Sequence, residues 1–371
     1  MKILVLGGYG STGKLICDLI LKTTAFEIVV AGPSLEKANT LKVTLQAKYG
    51  EDRVQSAQVD AKNKKKLITA FSECQLVIVA ASTAKYAKRI AEAAIEARVD
   101  YIDIYFHQST FEDLLPLKEK IAEKELCFIT QAGFHPGLPA VYMRKGYNYF
   151  DEYKKSIIAF TMKFHVESIP SVEEIITSLG EHDYRFYKDG FWWKGSYRDY
   201  KKVDFGSDFG EKVSIPMYLK EIENLPSDLG LEEAGIYTTG FNWFTDWIVF
   251  PLATLTQKMH LHALDHFWAK SLAFGINKFT SGKEGVVFML IAEGVSRGKK
   301  KNLIIRSSYD NAYGFTAIPV VALIKQLTEG TIRKKGLWMM GNIAEPQDLI
   351  DRMVQLGVST TVSLRDVARV R

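Results

Sequence analysis

Gly7, Gly8, Tyr9, Gly10, Ser11, Thr12 and Gly13 form the first run in the chain whose residue types and spacing point to chemistry. Read from Gly7 it is Gly-x-x-Gly-x-x-Gly, and read from Gly8 it is Gly-x-Gly-x-x-Gly. Either spacing gives a tight turn, lets the backbone at Gly10 approach a pyrophosphate, and lets a helix pack closely at Gly13. A helix opening there offers unpaired N–H groups and a partial positive charge to phosphate. Glycine-rich turns also arise for steric reasons alone, so the flanking sequence decides. The turn joins an apolar run at residues 2–6 to a helical pattern of Leu15, Ile16, Leu19 and Ile20. That context points to a dinucleotide, NAD(H) or NADP(H).

The end of the second strand distinguishes the two cofactors, because a carboxylate there accepts the ribose 2′-hydroxyl whereas a basic group receives a 2′-phosphate. Ala31-Gly32-Pro33 supplies neither. With no acid to repel a phosphate, and with Ser34 and Lys37 opening the next helix, the sequence favours NADP over NAD. Hydride transfer also needs a group that exchanges a proton with the substrate. His135, whose imidazole can titrate near neutrality, is one candidate, and Asp103 and His107 are the others. Each has a structural alternative: a loop histidine that caps a backbone group, or a strand aspartate that bonds a neighbouring turn. Tyr101 is either a phenol donor or packing. His260, His262 and His266 invite a metal, with positions 262 and 266 on one helix face, but they lack a third ligand of known geometry and no metal is expected.

These residues need a scaffold, and the first 130 residues provide one by alternating strands with helices. Strands are expected at 2–6, 27–31, 54–59, 76–80, 101–104 and 126–130, and helices at 35–49, 65–72, 86–97 and 111–124. Strands apolar on both faces and separated by amphipathic helices imply an α/β fold, a Rossmann doubly wound parallel sheet. Right-handed crossovers place every strand's C-terminal end on one edge. The residues just after each strand are therefore the ligand-facing ones, among them Asp60, Ala80, Ala81, Ser82, Asp103, His107 and His135.

The chain of 371 residues has a net charge of +5 and no basic stripe interleaved with aromatics. Nucleic acid is therefore not an expected partner, and the lysine runs at 62–66 and 299–301 read as solvated turns. Cys17, Cys74 and Cys127 have no metal-ligand spacing and leave an odd cysteine, which fits a reducing compartment. With no signal-like N-terminus, a cytoplasmic protein is expected. Residues 243–255 are apolar but too short to span a bilayer and carry Asp246, so they read as a buried helix or a substrate wall, and no integral membrane segment is expected.

The chain resembles the saccharopine dehydrogenase family in its broad sense, which includes saccharopine reductases, lysine dehydrogenases and carboxynorspermidine-forming enzymes. The resemblance rests on Ile3 through Gly13, Ser34-Leu-Glu-Lys-Ala38, Val59-Asp60-Ala61, residues 91–104 with their Tyr-Ile-Asp-Ile ending, and Gly133-Phe-His-Pro-Gly-Leu138. It covers about the first 140 residues well and the rest in outline. It implies that Gly7, Gly10 and Gly13 face the pyrophosphate, that Asp60 lies near the adenine, and that Ala80, Ala81 and Ser82 run beside the nicotinamide ribose. Two positions depart from the family: no arginine stands near Pro33, and His135 occupies a place where aspartate is common.

After Gly137 the pattern changes to a strand at 155–166, a short helix at 172–180, and aromatic strands containing Phe191, Trp192, Trp193, Tyr197 and Tyr200. A hairpin is expected across residues 297–301, and helices at 315–329 and 346–356. Residues 363–371 are expected to be loose. The expected organisation is a Rossmann domain at 1–138, an inserted α+β substrate and dimerisation domain on a mixed or antiparallel sheet at 139–312, and C-terminal helices at 313–371 that, by the resemblance, pack back on the Rossmann domain. Phe191, Trp192, Trp193, Phe241, Trp243, Phe244 and Trp247 line either an apolar pocket or a core and dimer face. Arg144, Arg185 and Arg198 are available to clamp a substrate carboxylate. The expected activity is NAD(P)-dependent oxidoreduction of a small molecule, by resemblance at a carbon–nitrogen centre of an amino acid or polyamine precursor, in a homodimer formed through the second-domain sheet. The alternatives are a reductase of a bulkier apolar or lipid-like substrate and a non-catalytic dinucleotide sensor or scaffold.

Overall fold

Strand β1 (Lys2–Leu6) is buried along nearly its whole length and has a parallel neighbour on each side, pairing Leu4 with Val29 and with Val77. A computed structural model describes residues 1–179, 183–196 and 198–367 and divides the chain into two compact units. The first unit comprises Met1–Gly137 and Thr316–Glu345. Its strands β1, β2 (Glu27–Gly32), β3 (Val54–Gln58), β4 (Leu76–Val79), β5 (Asp100–Asp103) and β6 (Cys127–Thr130) are all parallel. A seventh strand, Gly336–Met339 (β15 in chain order), joins parallel to β6 and was not anticipated. The order β15-β6-β5-β4-β1-β2-β3 reverses direction at β1, which places the glycine turn at the topological switch point where such sheets bind ligands.

Helices α1 (Ser11–Thr23), α2 (Leu35–Tyr49), α3 (Lys64–Phe71) and α4 (Ala87–Ala97) fall where the periodicity places them. The buried side of α1 combines Ile16 and Ile20 with Cys17 and Leu21, leaving Leu15 and Leu19 half-buried. The helix expected at 111–124 is instead α5 (Thr110–Leu114), a 3₁₀ turn at Leu115–Leu117, and α6 (Lys118–Glu123). Pro116, which has no N–H to give an α-helical ladder, sits at this break.

The second unit comprises Leu138–Phe315 and Pro346–Arg371. It opens with α7 (Leu138–Tyr147), a helix the sequence reading missed, and β7 (Glu152–Lys163). Two short strands, β8 (Phe186–Lys188) and β9 (Phe191–Trp193), pair with each other, and β10 (Lys201–Asp204), β11 (Glu211–Met217) and β12 (Glu233–Thr238) follow. The sheet order is β10-β11-β12-β7-β13-β14-β16, with β13 at Gly285–Ser296, β14 at Lys299–Tyr309 and β16 at Ser359–Asp366. The β7 and β12 pair is parallel and the others along this path are antiparallel, so the sheet is mixed. Arg297 and Gly298, both with positive φ (52° and 69°), close the β13–β14 hairpin as a type I′ turn requires.

Several expectations change here. The lysines at 299–301 begin β14 instead of lying in a turn, and Lys301 pairs with Asp366. Ser363 through Asp366 are not loose, because they complete β16 along the edge of β14; residues 368–371 and Tyr197 lie outside the described residues. Of the C-terminal region expected to pack on the Rossmann domain, only Thr316–Glu345 groups with the first unit. The helix Pro346–Gln355 and β16 group with the second, since β14 would otherwise expose an unpaired edge.

A small helical layer in the second unit contains α8 (Ile169–Ser178), a π-helical turn at Thr245–Val249, α10 (Phe250–Lys258) and α11 (Asp265–Phe279), with α9 (Leu225–Asp228) elsewhere in the unit. Val172, Ile176, Val249, Leu272 and Ile276 form its interior. The buried-helix reading of residues 243–255 is corrected: Val249 and Ala253 face this interior, but Trp247 is 79% and Leu255 53% exposed.

Candidate functional site

The glycine turn is as tight as its composition demands. Gly7 has φ +82° and donates its N–H to the Ala31 carbonyl at 2.8 Å, while Gly10 donates to the Gly7 carbonyl at 2.9 Å. A Cβ on Gly13 would lie 2.1 Å from the Gly7 carbonyl oxygen, and one on Gly7 would lie 2.5 Å from that of Ala80. The backbone after β1 thus runs directly against Ala80 and Ala81 after β4, with no room for side chains between them. Gly10 caps α1 without any side-chain hydrogen bond at the helix start. Such a cradle, at the N-terminus of a helix of 13 residues, fits a pyrophosphate.

Tyr9 has a role that spacing did not reveal. Its ring lies across Gly32, where a Cβ would come within 2.6 Å of it, and its hydroxyl accepts the Ser34 backbone N–H at 3.0 Å. Ser34 in turn caps α2 by accepting the Lys37 N–H at 3.3 Å, and Lys37 is exposed on the first turn. The 2′-reading region is therefore tied to the phosphate turn through one phenol. Asp60, half-buried after β3, accepts the Lys62 N–H at 2.9 Å. Ala80 is buried, Ala81 half-buried and Ser82 exposed.

The proton-exchange candidates occupy three different environments. Asp103, fully buried at the end of β5, uses one oxygen to accept from the Thr130 hydroxyl (2.9 Å) and the backbone N–H groups of Gln131 (2.9 Å) and Tyr105 (3.2 Å). These bonds fasten the segment after β5 to the end of β6. Desolvation nevertheless outweighs them and pushes the Asp103 carboxyl up to about 6. The Tyr101 phenol lies close enough to this carboxyl to oppose the desolvation, and the Gln131 side-chain oxygen has no hydrogen-bond partner among the described residues. His135 stands between Phe106 and Phe134, with ring centroids 5.7 and 4.2 Å away, and enclosure by protein atoms pushes its pKa down to about 3 although part of the residue reaches solvent. His107 is half-buried, and its backbone carbonyl accepts the Gln131 amide at 2.9 Å. The Tyr105 and Thr83 hydroxyls, 2.8 Å apart, join the turns after β5 and β4. Gln131, whose φ of 57° is unusual for a residue with a side chain, is the clearest of these contributors that composition could not single out.

Other candidates are placed apart from this edge. The three cysteines are buried, and burial pushes all three thiols up. His262 belongs to a 3₁₀ turn and His266 to α11, so they do not share a helix; they face Asp265 and Glu173 respectively. Among the described residues no group of three or more His, Cys, Asp or Glu side chains could hold a metal. Arg185 is engaged with Asp183 at 2.5 Å and with the Tyr218 ring. The aromatic series divides: Phe191 and Trp193 are exposed, Trp192 packs on Tyr187 and Tyr218, and Phe241 and Phe244 support the helical layer.

A parallel sheet with a glycine-lined phosphate turn at its switch point is the architecture of a dinucleotide-binding domain, and with the family match of its residues 3–129 it places the chain in the class of NAD(P)-dependent oxidoreductases. Residues 3–129 match the family model described as the saccharopine dehydrogenase NADP binding domain, so the first unit carries that domain. The fold over the whole chain is that of saccharopine dehydrogenase (L-Glu forming) from Saccharomyces cerevisiae, with a TM-score of 0.71 at 12% identity, covering 99% of this chain and 100% of that one. The diaminopimelate (DAP) dehydrogenase of C. glutamicum (TM-score 0.48, 10% identity, 96% and 99% coverage) and a meso-DAP dehydrogenase mutant from Clostridium tetani E88 (0.47, 13%, 94% and 95%) are also similar. No curated protein sequence matches. Among the described residues no helix is long and apolar enough to cross a membrane.

Proposed function

We propose that this chain is an NADP-dependent oxidoreductase acting by hydride transfer at a carbon–nitrogen centre of an amino acid or polyamine precursor. The observation that carries the reading is the glycine cradle of the first unit together with the match of residues 3–129 to the saccharopine dehydrogenase NADP binding domain. Gly7, Gly8, Tyr9, Gly10, Ser11, Thr12 and Gly13 hold the pyrophosphate, Asp60 lies on the adenine side, and Ala80, Ala81 and Ser82 border the nicotinamide ribose. Ser34 and the exposed Lys37, with no acid at the end of β2, favour the 2′-phosphate. A nicotinamide bound on this edge supplies or accepts the hydride.

Among the three proton-exchange candidates, Asp103 is fully buried and His135 is held neutral between two phenylalanines, and the role goes to the half-buried His107. Asp103, spent on three donors, positions the loop that carries His107. The protein works as a homodimer through the second-domain sheet, whose last strand leaves Val362 and Leu364 exposed.

Calorimetric titration with NADPH and NADH, followed by NADPH oxidation assays against amino acid semialdehydes with an amine co-substrate and against enones, tests the reading. Tighter NADPH binding and turnover of the semialdehyde pair support it. Turnover of enones alone moves the activity to apolar substrates, a reading favoured by the exposed apolar residues of α10 and α11. Tight cofactor binding with no hydride transfer to either class points to a dinucleotide sensor.

A further inference from the structure

Helices α10 and α11 pack inward through Ala253, Ala269, Leu272 and Ile276, yet their opposite sides are also apolar. Along α10 the exposed side carries Ile248 just before it, Leu252, Leu255 and Met259, a spacing of four, three and four residues. Along α11 it carries Phe267, Lys270, Phe274 and Lys278 at comparable spacing, so phenyl rings and ammonium groups alternate on one helix face. The apolar surface is continuous at its edge, where the Phe279 ring stands 5.3 Å from exposed Trp243 and 5.8 Å from Phe274. Trp247, at 79%, is the most exposed of all the large apolar side chains on the described surface. A soluble surface rarely keeps such a concentration of tryptophan, phenylalanine and leucine without an occupant.

The charges identify the occupant. Residues 241–279 contain only two acids, Asp246 and Asp265. Asp246 accepts from the Phe241 N–H and the Thr245 hydroxyl, and Asp265, only 13% exposed, accepts from Gln257 and faces His262. Both are satisfied within the segment, whereas Lys258, Lys270 and Lys278 are exposed. Within the segment itself the exposed charged side chains are thus cations, and the acid that faces it from the packed helix α8 is Glu173, opposite His266. A second copy meeting it by a two-fold axis would set this face against its own copy, which offers the lysines no exposed acid of the segment. An anionic bilayer instead takes aromatic and aliphatic side chains at its interface and pairs ammonium groups with lipid phosphates, the lysine stems lying along the apolar surface.

We propose that the outer face of α10 and α11 docks the protein peripherally on an anionic lipid bilayer, lying in the interface without spanning it. The full-length protein is tested by co-flotation with phosphatidylcholine vesicles containing or lacking phosphatidylglycerol. Binding to the anionic vesicles that falls with rising salt is expected, with about tenfold weaker partition for Trp247→Ala combined with Phe274→Ala. Lys270→Ala with Lys278→Ala is expected to weaken binding at low salt and to flatten the salt dependence. All these positions are exposed, and unchanged NADPH binding by the variants separates lost docking from lost folding. Failure of the wild-type protein to float with either vesicle overturns the proposal. So does equal binding to both vesicle types that the lysine changes leave intact, or a dimer that Trp247→Ala dissociates without any vesicle binding.

Discussion

The Tyr9 hydroxyl accepts the Ser34 backbone N–H at 3.0 Å while the Tyr9 ring fills the space that a side chain at residue 32 would need. Through this contact the phosphate turn and the capped start of α2 hold one another in place. Tyr9→Phe keeps the ring but removes the acceptor, leaving a part-buried N–H unpaired at a cost of about 1 kcal/mol. Urea unfolding is expected to show that loss, and calorimetry a weaker affinity for NADPH, since the residues on both sides of the contact bear on the cofactor.

Gly13→Ala is expected to abolish dinucleotide binding. Its Cβ would sit 2.1 Å from the Gly7 carbonyl oxygen, a backbone atom that cannot swing aside, so the turn must open. Quenching of tryptophan fluorescence by NADPH measures the outcome, and an affinity loss of about tenfold, roughly 1.4 kcal/mol, is the minimum expected. Wild-type affinity in this variant would show that the turn does not hold the pyrophosphate.

Lys37→Ala is expected to weaken NADPH severalfold and leave NADH unchanged, because only the 2′-phosphate needs a cation at the start of α2. Parallel calorimetric titrations of the two cofactors measure the selectivity. Equal losses for both would place Lys37 elsewhere in the binding surface.

Asp103 gives a pH dependence of stability with a definite sign. Burial raises its carboxyl from 3.8 to about 6 in the folded chain, so the folded state binds the proton more tightly than the unfolded one. The resulting stabilisation is fully present below about pH 4 and is lost as pH rises through 6, amounting to about 3 kcal/mol across that window. Asp103→Asn removes this component. The difference between wild-type and variant unfolding free energies, measured in urea from pH 4 to 7, should therefore change by that amount, whereas a constant difference would mean that Asp103 is ionised throughout.

The His135 imidazole, pushed down to about 3 by burial, is neutral at pH 7 and has no proton to spare as an imidazolium. Its ring resonances are expected to stay at the neutral position from pH 8 to 5 in an NMR titration. A His135→Gln variant should keep most of the wild-type turnover, whereas His107→Gln should lose it; the reverse pattern would exchange their roles.

The amino-acid order by itself determined the first six strands of the first unit. Apolar runs of four to six residues ending in glycine or a small residue, alternating with helical periods, leave a parallel sheet as the arrangement that buries both strand faces, and Gly7, Gly10 and Gly13 mark its switch point. Local signals did less elsewhere: β7, offset by three residues, and the β13–β14 hairpin were legible, but β12 and β16 of the second unit and β15 of the first were not. The short strand β15 and the largely polar exposed strand β16 are specified by the edges of β6 and β14 that they cover, and a strand chosen by its partner carries little pattern of its own. Tertiary structure alone also sorted the candidate residues. Asp103, His107 and His135 are alike in sequence as polar residues near strand ends, and only their packing separates a buried anchor with three donors, a half-buried imidazole and one held neutral between two phenylalanines. The same holds for residues 243–255, whose hydrophobicity reads as burial until the fold turns Trp247 and Leu255 outward. Hydrophobicity records what a side chain avoids, and the fold decides whether protein or another phase satisfies it.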